Sequence, residues 1–250
     1  ISTDQVEDLG KLYPGEQYIK ADLGALNEME TVIDGAEMVV HFGAIGDEAA
    51  WNAILHSNIV GSYNVWEAAA RAGVRRVIYA SSIHAVGMYP KNQRIDTEVP
   101  HRPDTYYGLA KCFSEDIGSL YWDKKGIESV HMRILSAAQV NNARSLGTWQ
   151  SYDDVIHMVQ CAINSPVTGF SIIYGVSNND RCPVDNHKAS FLGYRPKDNA
   201  EIFSEEVLAN SETSDPSDPG QMCHGGPFAS VKIGFSGTAG MNIVQDKKEN

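Results

Sequence analysis

Tyr107-Gly108-Leu109-Ala110-Lys111 decides how this chain is read, and Ser81-Ser82 stands some two dozen positions before it. On a helix, Tyr107 and Lys111 lie one turn apart, so the phenol and the ammonium project from one face and address one small volume. A tyrosine hydroxyl ordinarily loses its proton near pH ~10, and a fixed positive charge a few ångströms away favours the phenolate that a general base needs. Ser82 adds a hydroxyl that can donate to and accept from the same substrate oxygen. Three such groups around one alcohol carbon can remove a proton while a hydride leaves that carbon for a nicotinamide.

Spacing alone is not specific, because Tyr121 and Lys125 repeat it just before Gly126. There the lysines read as a solvated helix end that complements the helix dipole. Context separates the two pairs. Tyr107 falls in the first turns of a helix opened by Pro103-Asp104-Thr105, off an apolar stripe of Leu109, Phe113, Ile117 and Leu120, and it follows a strand ending in Ser81-Ser82.

Composition sets the bounds. At 250 residues with 42% hydrophobic residues, the chain can bury one good core and needs no more than one domain with an appendage. A net charge of −12 argues against a nucleic-acid or anionic-membrane surface. No apolar run reaches the ~20 residues a membrane helix requires, and no charged-then-apolar leader precedes the first motif, so a cytoplasmic protein is expected. Cys112, Cys161, Cys182 and Cys223 form no C-x-x-C pair and read as free thiols. The eight histidines make no H-x-x-x-H set, so no metal site is expected, and there is no G-x-S-x-G elbow.

In order along the chain, residues 17–21 read as a strand ending at Asp22-Leu23, and 27–33 as a helix closed by Gly35. The run Met38-Val39-Val40-His41-Phe42 reads as a strand buried on both faces that breaks at Gly43-Ala44. Small residues there leave room for a flat ligand, and a plain tight turn would look the same. A helix is expected over 51–72, with Asn58 inside it, and strands over 76–80, 130–135 and 171–175. Residues 153–163 read as an amphipathic helix with Val155, Met158, Val159 and Ala162 inward. Strands alternating with helices give an α/β, Rossmann-like, doubly wound parallel sheet. Residues 1–180 form the dinucleotide-binding domain, 181–228 a small substrate-capping part with short helices over 185–192 and 200–209, and 229–250 a weakly ordered tail.

Several stretches together resemble the extended short-chain dehydrogenase/reductase superfamily of NAD-dependent epimerases and dehydratases, and within it the uronate dehydrogenase subfamily. They are His41-Phe42-Gly43-Ala44, Asn58-Ile59-Val60-Gly61, Ser82 with His84 and Tyr89-Pro90, Arg102-Pro103-Asp104, Tyr107 to Lys111, Ser136, Arg144 before Thr148-Trp149, Asp185-Asn186 and Phe191-Leu192-Gly193-Tyr194. The resemblance implies Tyr107 as base, Lys111 as its electrostatic partner and ribose ligand, and Ser82 as hydroxyl binder. It implies His84, Ser136 and Arg144 as substrate contacts, with the Arg144 guanidinium forking onto a sugar carboxylate. Asp22 and Leu23 would approach adenine, while Gly43 and Ala44 flank the cofactor. The implied reaction is oxidation of a hexuronic acid at C1 to an aldarolactone with NAD as acceptor.

Four positions depart from that pattern. Ile83 replaces an asparagine, Gly46 stands where a serine contact is expected, the loop before Arg144 is one residue shorter, and Arg181-Cys182-Pro183-Val184 replaces an aromatic pair. The first strand, glycine-rich turn, helix and second strand expected of such a fold have no counterpart ahead of Gln17, so the chain is expected to be a fragment or to lack its leading segment. Gly234, Gly237 and Gly240 have the spacing of a phosphate loop, weighed against a mobile tail. A nucleotide-sugar epimerase or dehydratase shares the Ser/Tyr/Lys set, and a non-catalytic binding scaffold stays open. So does assembly into a homo-oligomer.

Overall fold

The computed structural model describes residues 1–211 and 215–238. Strands β1 (Ser2–Asp4) and β2 (Tyr18–Lys20) pair in parallel as a separate two-stranded sheet. The central sheet holds β3 (Met38–His41), β4 (Arg76–Tyr79), β5 (Glu128–Ile134) and β6 (Phe170–Gly175), all parallel and adjacent in that order.

Side chains alternate across this sheet as the two-residue period requires. Val77 and Tyr79 join Met29, Val65, Trp66 and Ile117 in a core on one face. Ile78, Val130, Met132 and Ile173 pack with Met158, Ala162 and Leu192 on the other. The helices of the first layer are α1 (Leu26–Ile33), α3 (Gly61–Ala72) and α4 (Tyr106–Lys125); α6 (Tyr152–Asn164) covers the opposite face. Both faces being covered, the doubly wound α/β arrangement read from the sequence is the one observed.

Local differences have physical causes. Strand β3 is less enclosed than its apolar run suggests, with Val40 47% and Phe42 46% exposed, because among the described residues nothing pairs with its far edge. The long helix expected over 51–72 is interrupted. Helix α2 (Trp51–Ile54) passes through one π-helical segment, Leu55–Val60, before α3 begins. Asn58 lies in that segment and both accepts from and donates to the Ile45 backbone, at 2.8 and 3.0 Å, as buried asparagines usually do.

The stripe assigned to α4 is only half inward. Ile117 is buried, but Leu109 and Leu120 are 42% and 52% exposed, since the face packed against the sheet instead carries Ala110, Ser114 and Gly118. Gly118 allows the close approach: a Cβ there would stand 2.2 Å from His131 Nε2. Tyr121 donates to Glu67 at 2.8 Å, and the lysine-rich end closes on Gly126 at φ +71°, in keeping with a structural helix end.

The remainder is built from short elements: α5 (Ser145–Thr148), α7 (Ser204–Ala209), α8 (Pro219–Met222) and 3₁₀ turns at His187–Leu192, Ala200–Phe203 and Gly226–Ala229. Within residues 229–250, where a weakly ordered tail is expected, Gly234, Ser236, Gly237 and Thr238 hydrogen-bond to Asp47 and Glu48. Gly240 lies outside the described residues. No helix among the described residues is long and apolar enough to cross a membrane.

Candidate active site

Parallel register brings the functional side chains to one edge. Tyr79 pairs with His131, Ser82 bridges to Ile134, and Ser136 bridges to Trp149, so the carboxyl ends of β4 and β5 finish side by side with Ser82 and Ser136 just beyond them. Carboxyl ends of parallel strands are where open α/β sheets receive ligands. A cavity of about 1330 Å³ opens there, lined among others by Ser82, His84, Tyr107, Lys111, Ser136 and Arg144.

Thr105 caps α4, its hydroxyl accepting from the Gly108 amide at 3.0 Å, which places Tyr107 in the first turn. One turn on, the buried Lys111 reaches back: its Nζ donates to the Ala80 carbonyl at 2.6 Å and sits 5.3 Å from the Tyr107 ring centroid. Burial lowers the Lys111 pKa, while the nearby Tyr107 and Glu115 oppose that shift. The cavity therefore holds a cation beside a phenol at the end of the serine strand.

Glu115, one turn beyond Lys111, organises the ground beneath. Its carboxylate accepts from Ser81 Oγ at 2.6 Å and from Arg133 Nε and Nη2 at 2.9 and 2.7 Å, with His101 Nε2 at 2.7 Å. Burial alone would raise its pKa, but the His101 and Arg133 contacts outweigh burial and hold it at about 2. A buried carboxylate with four hydrogen bonds from three partners fixes the turn carrying Ser81-Ser82.

Arg144, partly buried, differs from the buried Arg76 and Arg133. Its Nη2 donates to the His224 carbonyl at 2.7 Å, and among the described residues no carboxylate forms an ion pair with it. Burial lowers its pKa to about 10, so it stays a cation at neutral pH. Arg181 also lines the cavity but is engaged in both directions by Glu201, at 2.9 Å each. Arg144, like Lys111, thus brings to the cavity a cation bonded to a backbone carbonyl and to no carboxylate.

Ala44 and Gly46 line the cavity with Phe42. Gly43 is exposed and does not line the cavity; a Cβ on it would meet Leu23 Cδ1 at 3.2 Å. Asp22 and Leu23 form a group at the end of β2 that does not line this cavity. Asp22 accepts from the Gly24 amide at 2.8 Å and from Gln5 at 3.0 Å, with His56 at 3.1 Å, and the Gly24 and His56 contacts hold its carboxyl below the usual range against burial. Ile83, the departure beside the serine, turns into the core with Val86, Ile95 and Tyr174.

The glycine-rich segment near the end is engaged by acids. Gly234 N donates to Glu48 and Gly237 N to Asp47, both at 2.8 Å, while Thr238 lines the cavity beside Gly46. Three participants escaped sequence reasoning. Glu48 is buried and also accepts from the Tyr107 amide at 2.8 Å, yet no motif marks it. Phe228 stacks on His84 with centroids 4.0 Å apart, a contact that depends on the C-terminal segment folding back. Asp104 stands in the sequence as a helix opener and within Arg102-Pro103-Asp104, with no role of its own at the site. Among the described residues no group of three or more His, Cys, Asp or Glu could hold a metal ion.

A parallel α/β sheet that sets serine, tyrosine and lysine at the ends of its strands has the architecture of a short-chain dehydrogenase. Residues 2–141 match the family model described as the NAD dependent epimerase/dehydratase family, and the chain belongs to that family. Among curated relatives, the uronate dehydrogenase of Pseudomonas putida is 42% identical over 217 residues, 86% of this chain and 81% of that one. Among solved structures, the glucuronic acid dehydrogenase from Chromohalobacter salexigens superimposes with a TM-score of 0.89 at 40% identity, over 92% of this chain and 86% of that one. A mutant uronate dehydrogenase from Agrobacterium tumefaciens complexed with NAD gives a TM-score of 0.88 at 37% identity, over 92% and 87%.

Proposed function

We propose that the protein is an NAD-dependent dehydrogenase that oxidises a hexuronic acid of the glucuronate or galacturonate type at C1 to the corresponding aldarolactone. The observation that carries this reading is the convergence, in one cavity, of Ser82, Tyr107 and Lys111 with the cation of Arg144. The first three groups suit an alcohol being oxidised; the fourth suits a substrate bearing a carboxylate. The likeness to uronate dehydrogenases over most of the chain supports the same pairing.

The residues fit the cofactor at two points. Ala44, with only a methyl, leaves room for the cofactor at the cavity wall, and Asp22-Leu23 stand at the end of β2 for adenine. When bound, NAD accepts the hydride that leaves C1. Tyr107, as the phenolate, takes the proton from the C1 hydroxyl and becomes a neutral phenol, and Lys111, 5.3 Å from the ring centroid, stabilises the phenolate that precedes this transfer. Ser82 holds the same oxygen as the carbon becomes a carbonyl. Arg144 grips the sugar carboxylate as a two-pronged donor, with Ser136 and His84 orienting the ring. In this reading residues 181–228 form the cap on the substrate side, supported by Arg181, Gln221, His224 and Phe228 along the cavity wall. A cytoplasmic setting goes with it, supported by four free thiols.

Initial rates of NADH formation with glucuronate and galacturonate test the assignment, with lactone appearance followed by NMR. Turnover of both the cofactor and the sugar acid is expected. Silence with uronates but conversion of a nucleotide sugar would transfer the protein to the epimerase class, and no thermal shift on adding NAD would mark a non-catalytic scaffold.

A further inference from the structure

His84 has a partner of unusual burial. Its Nδ1 lies 2.7 Å from Asp104 Oδ2, and the Asp104 side chain is 0% exposed against 13% for His84. Asp104 is not spent on capping α4, since Thr105 does that. Its other bond is from the Thr105 hydroxyl, at 2.8 Å. A buried carboxylate without adequate partners is costly, so its main companion here is an imidazole.

Three glycines from separate segments make room for that carboxylate. A Cβ at Gly87 or at Gly225 would stand 2.0 Å from Asp104 Oδ2, and one at Gly108 would stand 3.0 Å from Oδ1. The first two separations are far inside contact distance. The cradle therefore admits a group the size of Asp or Asn and little else.

The imidazole is fixed on its other sides as well. Phe228 stacks on it, and Tyr107 stands edge-on with centroids 5.6 Å apart at 67°. Its Nε2 has no hydrogen-bond partner among the described residues, and the ring lines the cavity. The ring is thus clamped by aromatic faces, held at Nδ1, and open at Nε2 beside the tyrosine.

We infer that Asp104 is a positioning residue: by accepting the Nδ1 proton of His84 it fixes that ring's tautomer and presents Nε2 as an acceptor for a sugar hydroxyl next to Tyr107. The inference rests on the reaction proposed above. A carboxylate behind an imidazole selects which nitrogen carries the proton, and for metal-bound histidines such outer partners carry roughly 10- to 100-fold in activity, the scale taken for His84. Asp104 itself touches no substrate; it acts through His84.

The test uses the full chain, with Asp104→Asn, His84→Ala and the double variant. Long-range ¹⁵N–¹H spectra, in which the His84 signals are identified by their loss in His84→Ala, report the tautomer directly. The expected wild-type state is Nδ1-protonated, with a shift toward the other tautomer in Asp104→Asn. In steady-state kinetics with glucuronate and NAD, Asp104→Asn is expected to lower kcat/KM about 10- to 100-fold. In the His84→Ala background the same change is expected to cost less than about 2-fold, because coupled residues are non-additive. An Nε2-protonated wild-type ring overturns the inference and needs no variant that must fold. Equal losses in both backgrounds, or unchanged kinetics in Asp104→Asn, also overturn it. If the wild type fails to oxidise any uronate, the substrate reading falls while the tautomer measurement still decides the dyad.

Discussion

Lys111 holds its ammonium 5.3 Å from the centroid of the Tyr107 ring while donating to the Ala80 carbonyl at 2.6 Å. The one-turn spacing of the two residues makes the meeting sterically available; the carbonyl at the end of β4 makes it definite. A flexible lysine free in water would sample many rotamers. Here one hydrogen bond to the serine strand fixes its reach, so phenol, ammonium and serine share a single frame.

The first consequence concerns the phenol oxygen. Tyr107→Phe deletes one hydroxyl and leaves the ring contacts with His84 and Phe228 available. Loss of a positioned general base costs typically ~10²–10⁴-fold, so kcat with glucuronate is expected to fall by at least about 100-fold. Circular dichroism and the thermal midpoint should stay near wild type. A variant with full kcat would remove Tyr107 from the chemistry.

Arg144 supplies the second prediction. Hydrogen bonds to charged groups contribute about 1.5–3 kcal/mol, so Arg144→Ala is expected to raise the KM for uronates roughly 10- to 100-fold. Arg144→Lys should recover only part, since an ammonium cannot match a carboxylate with two parallel donors. Unaltered KM values in Arg144→Ala would place carboxylate recognition elsewhere.

The central sheet and the Ser/Tyr/Lys set were legible because each depends on local signals: apolar runs for β4, β5 and β6, and a fixed helical offset for Tyr107 and Lys111. The short 3₁₀ turns at His187–Leu192 and Ala200–Phe203 were read as helices because one turn of either carries nearly the same pattern. The outward Leu109 and Leu120 were misread for another reason. Small residues on the opposite face of α4 let it press against β5, and periodicity alone gives no weight to Gly118 and Ser114. Glu48, Asp104 and Phe228 were hidden because each gains its role from a partner 20 to 186 positions away, and no single-segment pattern encodes that.

Gly46 yields a third prediction. A Cβ at this position would meet nothing within 4 Å, and the residue lines the cavity. Gly46→Ser should therefore fold with an unchanged thermal midpoint and add a hydroxyl facing the substrate space. The KM for uronates is expected to fall by up to about 10-fold, the worth of one net hydrogen bond of ~0.5–1.5 kcal/mol. A raised KM would mean that the bare backbone is itself needed for binding.

The protein should be sensitive to acid in two stages. Burial holds His41 neutral down to about 3, with Lys111 adding to the shift, and burial holds His131 neutral down to about 4. Both lie below the ordinary value near 6.5, so as pH falls the unfolded chain takes up these protons first. Their contribution is complete above pH 6.5 and drains away below it, at up to about 1.4 kcal/mol per pH unit for each proton. Glu115, at about 2 against 4.5, contributes above pH 4.5 and is lost as pH falls from there toward 2. Urea unfolding across this range should show stability declining from pH 6.5 and more steeply below 4.5, with a shallower upper slope in His41→Gln. A flat profile between pH 6.5 and 4.5 would contradict the buried neutral histidines.

Glu48 ties α4 to the C-terminal segment, and its removal should loosen both. One carboxylate oxygen accepts from the Tyr107 amide and the other from the Gly234 amide, each at 2.8 Å, with the residue only 2% exposed. A negative charge at the start of α4 is favourable against the helix dipole, and the two amides lose a charged acceptor together if it is deleted. Glu48→Ala is expected to cost about 2–4 kcal/mol, from two charge-assisted bonds, and Glu48→Gln less, since its single carbonyl oxygen can still serve one amide. Limited proteolysis supplies the local readout: cleavage near residues 230–238 should come earlier in Glu48→Ala than in the wild type, with Glu48→Gln between them. Because Tyr107 is held by the same carboxylate, kcat should fall in the same order. Equal cleavage rates in all three proteins, with kcat unchanged, would reduce the contact to a surface feature with no hold on the active-site helix.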